Sequence, residues 1–115
     1  MLVQVLRSKL HLARVTRVDL EYEGSLGISK ELIAAAGFLP YERILCANLE
    51  NGQRWETYVI EQEEPGQIFV NGACAHLCSV GDRLIIMSWA QLTREEALEH
   101  QPQRVILDSA NRPAG

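Results

Sequence analysis

The chain has 115 residues, 47% hydrophobic and 23% charged, a balance that predicts one ordinary globular domain spanning 1–115. Its net charge of −4 argues against the dense basic face that a nucleic-acid surface needs. The longest apolar runs, over 32–39 and 84–87, are far too short for a membrane span, and residues 1–7 lack the pattern of a secretory signal.

The charge is uneven along the chain. Residues 1–24 hold Arg7, Lys9, Arg14 and Arg17 against Asp19, Glu21 and Glu23, so the acidic excess lies in 25–115. Over Val3 to Val18 apolar and polar residues alternate with the period of two that predicts half-buried strands. Residues 19–25 are expected to continue extended. Residues 29–37 predict a short helix with Ser29 as N-cap and Gly37 as its stop. A strand is expected over 43–49, and Asn51-Gly52 signals a hairpin into a strand over 54–60. Pro65-Gly66 turns the chain into a strand over 68–70. The small residues of 72–79 predict a tight loop or one helical turn. Residues 83–89 form the most apolar strand, and 93–99 a surface helix with a Thr93/Glu96 capping box. A last strand is expected over 103–107 and a frayed tail over 111–115. Six or more short strands with two short helices point to a mainly β fold, a small closed barrel.

Cys46, Cys74 and Cys78 make an odd count without framework spacing, which reads as reduced thiols and a cytoplasmic location. Cys74, His76 and Cys78 supply too few ligands to close a metal site, so no metal is expected. Neither a glycine-rich phosphate loop, a nucleophile elbow nor a paired-histidine zinc motif is present. Taken singly, Lys9 and Arg54 read as solvated strand charges, Tyr58 as half-buried packing, and His11 and His76 as polar fillers. Gly24-Ser25 alone reads as a turn.

Their order along the chain reads differently. Lys9-Leu10-His11, Val15-Thr16, Asp19-Leu20, Tyr22-Glu23-Gly24-Ser25 and Ile28 resemble the start of the bacterial aspartate 1-decarboxylase family. The likeness runs on through Ala35-Ala36-Gly37, Asn51-Gly52, Arg54, Thr57-Tyr58 and Val70-Asn71-Gly72-Ala73. It closes with Ala75-His76 and Ser79-Val80-Gly81-Asp82. The resemblance implies a double-psi β-barrel, assembled as a homotetramer with sites between subunits. It also implies self-cleavage between Gly24 and Ser25, giving pieces 1–24 and 25–115 and a covalent pyruvoyl group made from Ser25.

In that chemistry the Ser25 hydroxyl attacks the Gly24 carbonyl, amide becomes ester, and elimination and hydrolysis leave the ketone. The ketone forms a Schiff base with the substrate amine and takes up electrons as carbon dioxide leaves, so pyridoxal is not needed. Glycine at position 24 suits strained dihedrals and an open carbonyl. Thr57 is the implied donor to the developing oxyanion, and Tyr58 the implied proton donor to the carbanion. Arg54 suits bidentate binding of the L-aspartate carboxylate, with Lys9 adding charge and His11 and Tyr22 lining the pocket. Gly72, Ala73 and Cys74 match a loop whose backbone meets substrate, and Asn71 orients it. Cys74 stands where the family more often has alanine, and Gly27 is a further departure, expected to loosen the turn at Gly24.

Two rival readings stay open in the sequence. One is the same machinery acting on a longer acidic amino acid, where one methylene is worth roughly 1–3 kcal/mol of discrimination. The other is an uncleaved β-barrel interaction module without an electrophile. Whether cleavage is spontaneous or assisted by a maturation helper protein is also open.

Overall fold

Residues 1–114 are described by the structure, a computed structural model. Among them run β1 (Leu2–Arg14), β2 (Arg17–Asp19), β3 (Ser25–Ser29), α1 (Lys30–Ala36), β4 (Arg43–Asn48) and β5 (Arg54–Gln62). The remainder comprises β6 (Ile68–Asn71), a 3-10 turn (Gly72–Leu77), β7 (Arg83–Thr93), α2 (Arg94–Glu99) and β8 (Gln103–Ile106). The strands form one sheet in the order β2-β6-β3-β5-β4-β7-β1-β8. Because β1 runs straight on into β2, the chain itself joins one end of that order to the strand next to the other end. Thr16 secures the junction. Its amide donates to the Ile68 carbonyl at 2.9 Å and its hydroxyl accepts from the Ile68 amide at 3.0 Å. The result is the small mainly-β barrel expected, filled by Leu10, Leu26, Ile28, Ile44, Val59, Ile68, Val70, Leu84 and Ile86.

Three pairings are parallel: β1 with β8, β2 with β6 and β3 with β5. The alternation in β1 shifts register between Leu6 and Ser8 and again between His11 and Ala13 along β7. Leu12, between the second pair, takes φ 70°, the local signature of a bulge. The local signals hold. Gly37 ends α1 at φ 73°, and Thr93 and Glu96 make the reciprocal capping box that opens α2. Ser29 occupies the N-cap position, but its hydroxyl donates to the Glu31 carboxylate and caps no backbone amide.

Three expectations are corrected. The extended run does not reach Ser25: the chain turns over 20–24, where the Asp19 carboxylate accepts from the Glu21 amide at 3.1 Å. Gly27 lies in no turn. It is buried within β3, paired with Ile60 and Phe69, and a Cβ there would meet the Gln62 side chain at 2.4 Å. The tail is tied down as far as Ala114. Buried Asn111 accepts from the Arg14 amide at 2.7 Å and donates to the Arg14 and Gly66 carbonyls at 2.9 Å each. Gly115, the last residue of the expected frayed segment, lies outside the described residues.

Candidate active site

Ser25 opens β3 directly after the turn. Its backbone pairs with Asn71 at the end of β6, and the residue is buried. The Asn71 amide donates through Nδ2 to Ser25 Oγ at 3.0 Å, while the hydroxyl itself reaches the Glu23 carbonyl only at 3.4 Å. Ser25 Oγ is thus an acceptor held in place, with its own proton weakly engaged. Asn71 is the donor that the structure puts at this serine. Thr57 lies half-buried on β5, paired with Ile44.

Gly24 is exposed and its backbone is outside the left-handed region. The expectation of strain at Gly24 is therefore corrected. The left-handed residue at this site is Gly72, at φ 77°, which opens the 3-10 turn after β6 and packs against Gly24. Ala73 is exposed beside it, and Cys74 is half-buried against the core.

Tyr22 lines a cavity of about 140 Å³ with Arg17, Asp19, Gln62, Phe69 and Asn71. Asn71 therefore faces both this cavity and Ser25. Register carries Tyr58 to the same neighbourhood: Leu26 pairs with Val59 in the parallel β3–β5 ladder, so the preceding residues Ser25 and Tyr58 run side by side. The Tyr58 ring is partly exposed, 6.3 Å from that of Tyr41. Ser25, Gly24, Tyr22, Asn71, Gly72 and Tyr58 thus gather around one end of β3.

Lys9, His11 and Arg54 lie elsewhere. Arg54 is exposed at the start of β5, four residues from Tyr58 and so roughly 13 Å along the strand. Lys9 and His11 line a separate cavity of about 380 Å³ with Arg104 and Ile106, on the β1–β8 pair. Burial, and then the Lys9 charge, hold the His11 pKa below its ordinary value. Arg104 carried no signal of its own in the sequence, because its neighbour Lys9 comes from the opposite end of the chain.

The thiols are not poised as nucleophiles. Burial drives Cys46 far above the usual thiol range, and burial followed by the Asp82 and Cys74 charges raises Cys78 to about 11. All three cysteines are free, and the described residues include no group of three or more metal-ligating side chains. No described helix is long and apolar enough to cross a membrane.

Residues 1–114 match the family model described as aspartate decarboxylase. The chain is 50% identical over 113 residues to the aspartate 1-decarboxylase of Thioalkalivibrio sulfidiphilus, covering 97% of this chain and 90% of that one. It is 48% identical to the protein of that name from Caldicellulosiruptor saccharolyticus, covering 97% and 88%, and 47% identical to that from Lactiplantibacillus plantarum, covering 97% and 87%. With a buried serine at the entry of β3 and likeness along nearly its whole length, the chain belongs to the aspartate decarboxylase family.

Proposed function

We propose that this chain cuts itself between Gly24 and Ser25 and then decarboxylates L-aspartate to β-alanine, a step toward pantothenate and coenzyme A. The observation that carries the reading is the buried Ser25 hydroxyl, held by Asn71 one residue beyond the exposed Gly24. Donation from Asn71 favours negative charge on Oγ as its proton leaves, which is what attack on the Gly24 carbonyl requires. The bond from Oγ to the Gly24 carbon forms as the amide C–N bond breaks. Elimination of the ester oxygen and hydrolysis release ammonia and leave a pyruvoyl group in place of Ser25.

Gly72, packed against Gly24, and the small Ala73 after it bring little side chain to the neighbourhood of that group. When formed, it supplies the electron sink that decarboxylation needs. Tyr58, one residue before the Leu26–Val59 pair that opens the β3–β5 ladder, protonates the product carbon, and Thr57 assists the cleavage. Arg54 and Lys9 bind the substrate's carboxylates, and His11 lines the pocket. In one chain they stand apart from Ser25, which favours a homotetramer whose sites lie between subunits. Tyr22, Asn71, Gly72, Ala73 and Cys74 shape the wall. The chemistry calls for neither a metal nor pyridoxal, and a cytoplasmic setting suits three free thiols.

Intact mass under denaturing conditions tests the reading. Two fragments are expected, the larger lighter by one ammonia than a chain beginning with Ser25, and the cleaved protein converts aspartate to β-alanine. A single full-length species that stays uncut on incubation, with or without the host's cell extract, overturns it in favour of a silent barrel.

A further inference from the structure

The parallel β1–β8 pair turns its alternating residues outward as a block. Lys9 pairs with Arg104 and His11 with Ile106, while Leu10 and Val105 between them point toward the core. The four outward side chains line one cavity of about 380 Å³, and no carboxylate is among its lining residues. Among the described residues neither Lys9 nor Arg104 enters an ion pair, as is true also of Arg14, Arg54, Arg94 and Arg112, but only Lys9 and Arg104 face each other across one cavity. Like charges directly opposite on neighbouring strands repel, so this pairing costs stability until an anion joins it. His11 lines the same cavity, and its Nδ1 is shut off from solvent without a hydrogen-bond partner.

We propose that Arg104 is a specificity-determining residue that, beside Lys9, forms a two-cation seat for the carboxylates of a small dicarboxylate. The inference deepens the proposed function, because the substrate of that reaction carries two carboxylates. Arg104 offers the fork that binds a carboxylate through two parallel hydrogen bonds, and Lys9 a compact point charge alongside. His11 supplies the polar contact one pleat further on, and Ile106 gives the apolar wall against which a short carbon chain rests.

Succinate is the probe: it has both carboxylates but no amine, so it binds without reacting. Calorimetric titration at low ionic strength compares the wild-type protein with Arg104→Gln and Arg104→Lys. Wild type is expected to bind succinate saturably, Arg104→Gln about tenfold or more weakly, and Arg104→Lys in between. Arg104 is exposed and faces a like charge, so the melting temperature should not fall in either variant and loss of fold cannot mimic the effect. Equal affinity in wild type and Arg104→Gln, absence of saturable binding to wild type, or tighter binding of inorganic phosphate than of succinate each overturns the assignment. β-Alanine production by the wild type is scored separately. Succinate binding that depends on Arg104 in a protein unable to make β-alanine upholds this seat and sinks the proposed function.

Discussion

Gly72 lies so close to Gly24 that a Cβ on residue 72 would stand 2.7 Å from the Gly24 Cα and 2.9 Å from its nitrogen. Both obstructing atoms are backbone, so neither can swing aside. Gly72 also holds φ 77°, where an L side chain is strained. Gly72→Ala is therefore expected to cost about 2–4 kcal/mol and to displace the segment before Ser25. At Gly24 an added Cβ meets nothing within 4 Å, so Gly24→Ala should leave the melting temperature nearly unchanged. Thermal melts of the two variants check the contrast, and equal losses would refute it.

Asn71 supplies the donor at Ser25. Asn71→Ala should slow self-cleavage about tenfold or more, as expected for removing about 1.4 kcal/mol of stabilisation from the attacking oxygen. A time course of intact mass follows it. Cleavage at the wild-type rate would reduce Asn71 to a spacer.

Ser25→Ala removes the hydroxyl and leaves Asn71 Nδ2 without its acceptor. The variant is expected to fold, with a loss of about 1–2 kcal/mol, and to stay uncut and inactive. Fragments ending at residue 24 in this variant would contradict a serine nucleophile.

His11 should titrate below its ordinary pKa of 6.5, because burial and then the Lys9 charge disfavour its cation. Lys9→Met removes one of the two causes and raises the value, while burial keeps it below 6.5. An imidazole NMR titration reads both. The sign for stability follows: the folded state binds the proton less readily than the unfolded one. The contribution of His11 is therefore complete above about pH 6.5 and is lost as pH falls toward the folded pKa.

Asn111 holds the tail to two other parts of the chain through three hydrogen bonds, at φ 59°. Asn111→Ala should cost about 3 kcal/mol, and Asn111→Gly somewhat less because glycine accepts the left-handed backbone. Urea unfolding of both variants measures the difference. A loss under 1 kcal/mol in each would mean that the tail adds little to the barrel.

What could be read from the sequence was local, or carried by family likeness. The Thr93–Glu96 box, the Gly37 stop and the hairpin at Asn51-Gly52 each depend on neighbours a few residues apart, so pattern alone located them. The Gly24-Ser25 bond stood out through the resemblance. Much of the rest depends on partners brought by the fold. Ser25–Ser29 is a strand because β5 and β6 flank it on both sides, not because its own residues favour extension. Asn111 meets Arg14 across 97 positions, and Arg104 reaches Lys9 only through a parallel pairing. No periodicity reports such encounters. Strain was expected at Gly24, whereas the left-handed backbone at this site belongs to Gly72, packed against it.

The strand β1 lies between β7 and β8, and β2 lies on β6, so residues 1–24 are gripped along most of their length by the remainder. Opening the backbone after Gly24 removes one link from a turn and none of those ladders. The first 24 residues then behave as a peptide ligand of their own parent protein. Two separately made polypeptides, divided at that point, should recombine into the same barrel, and their dissociation should require unfolding it.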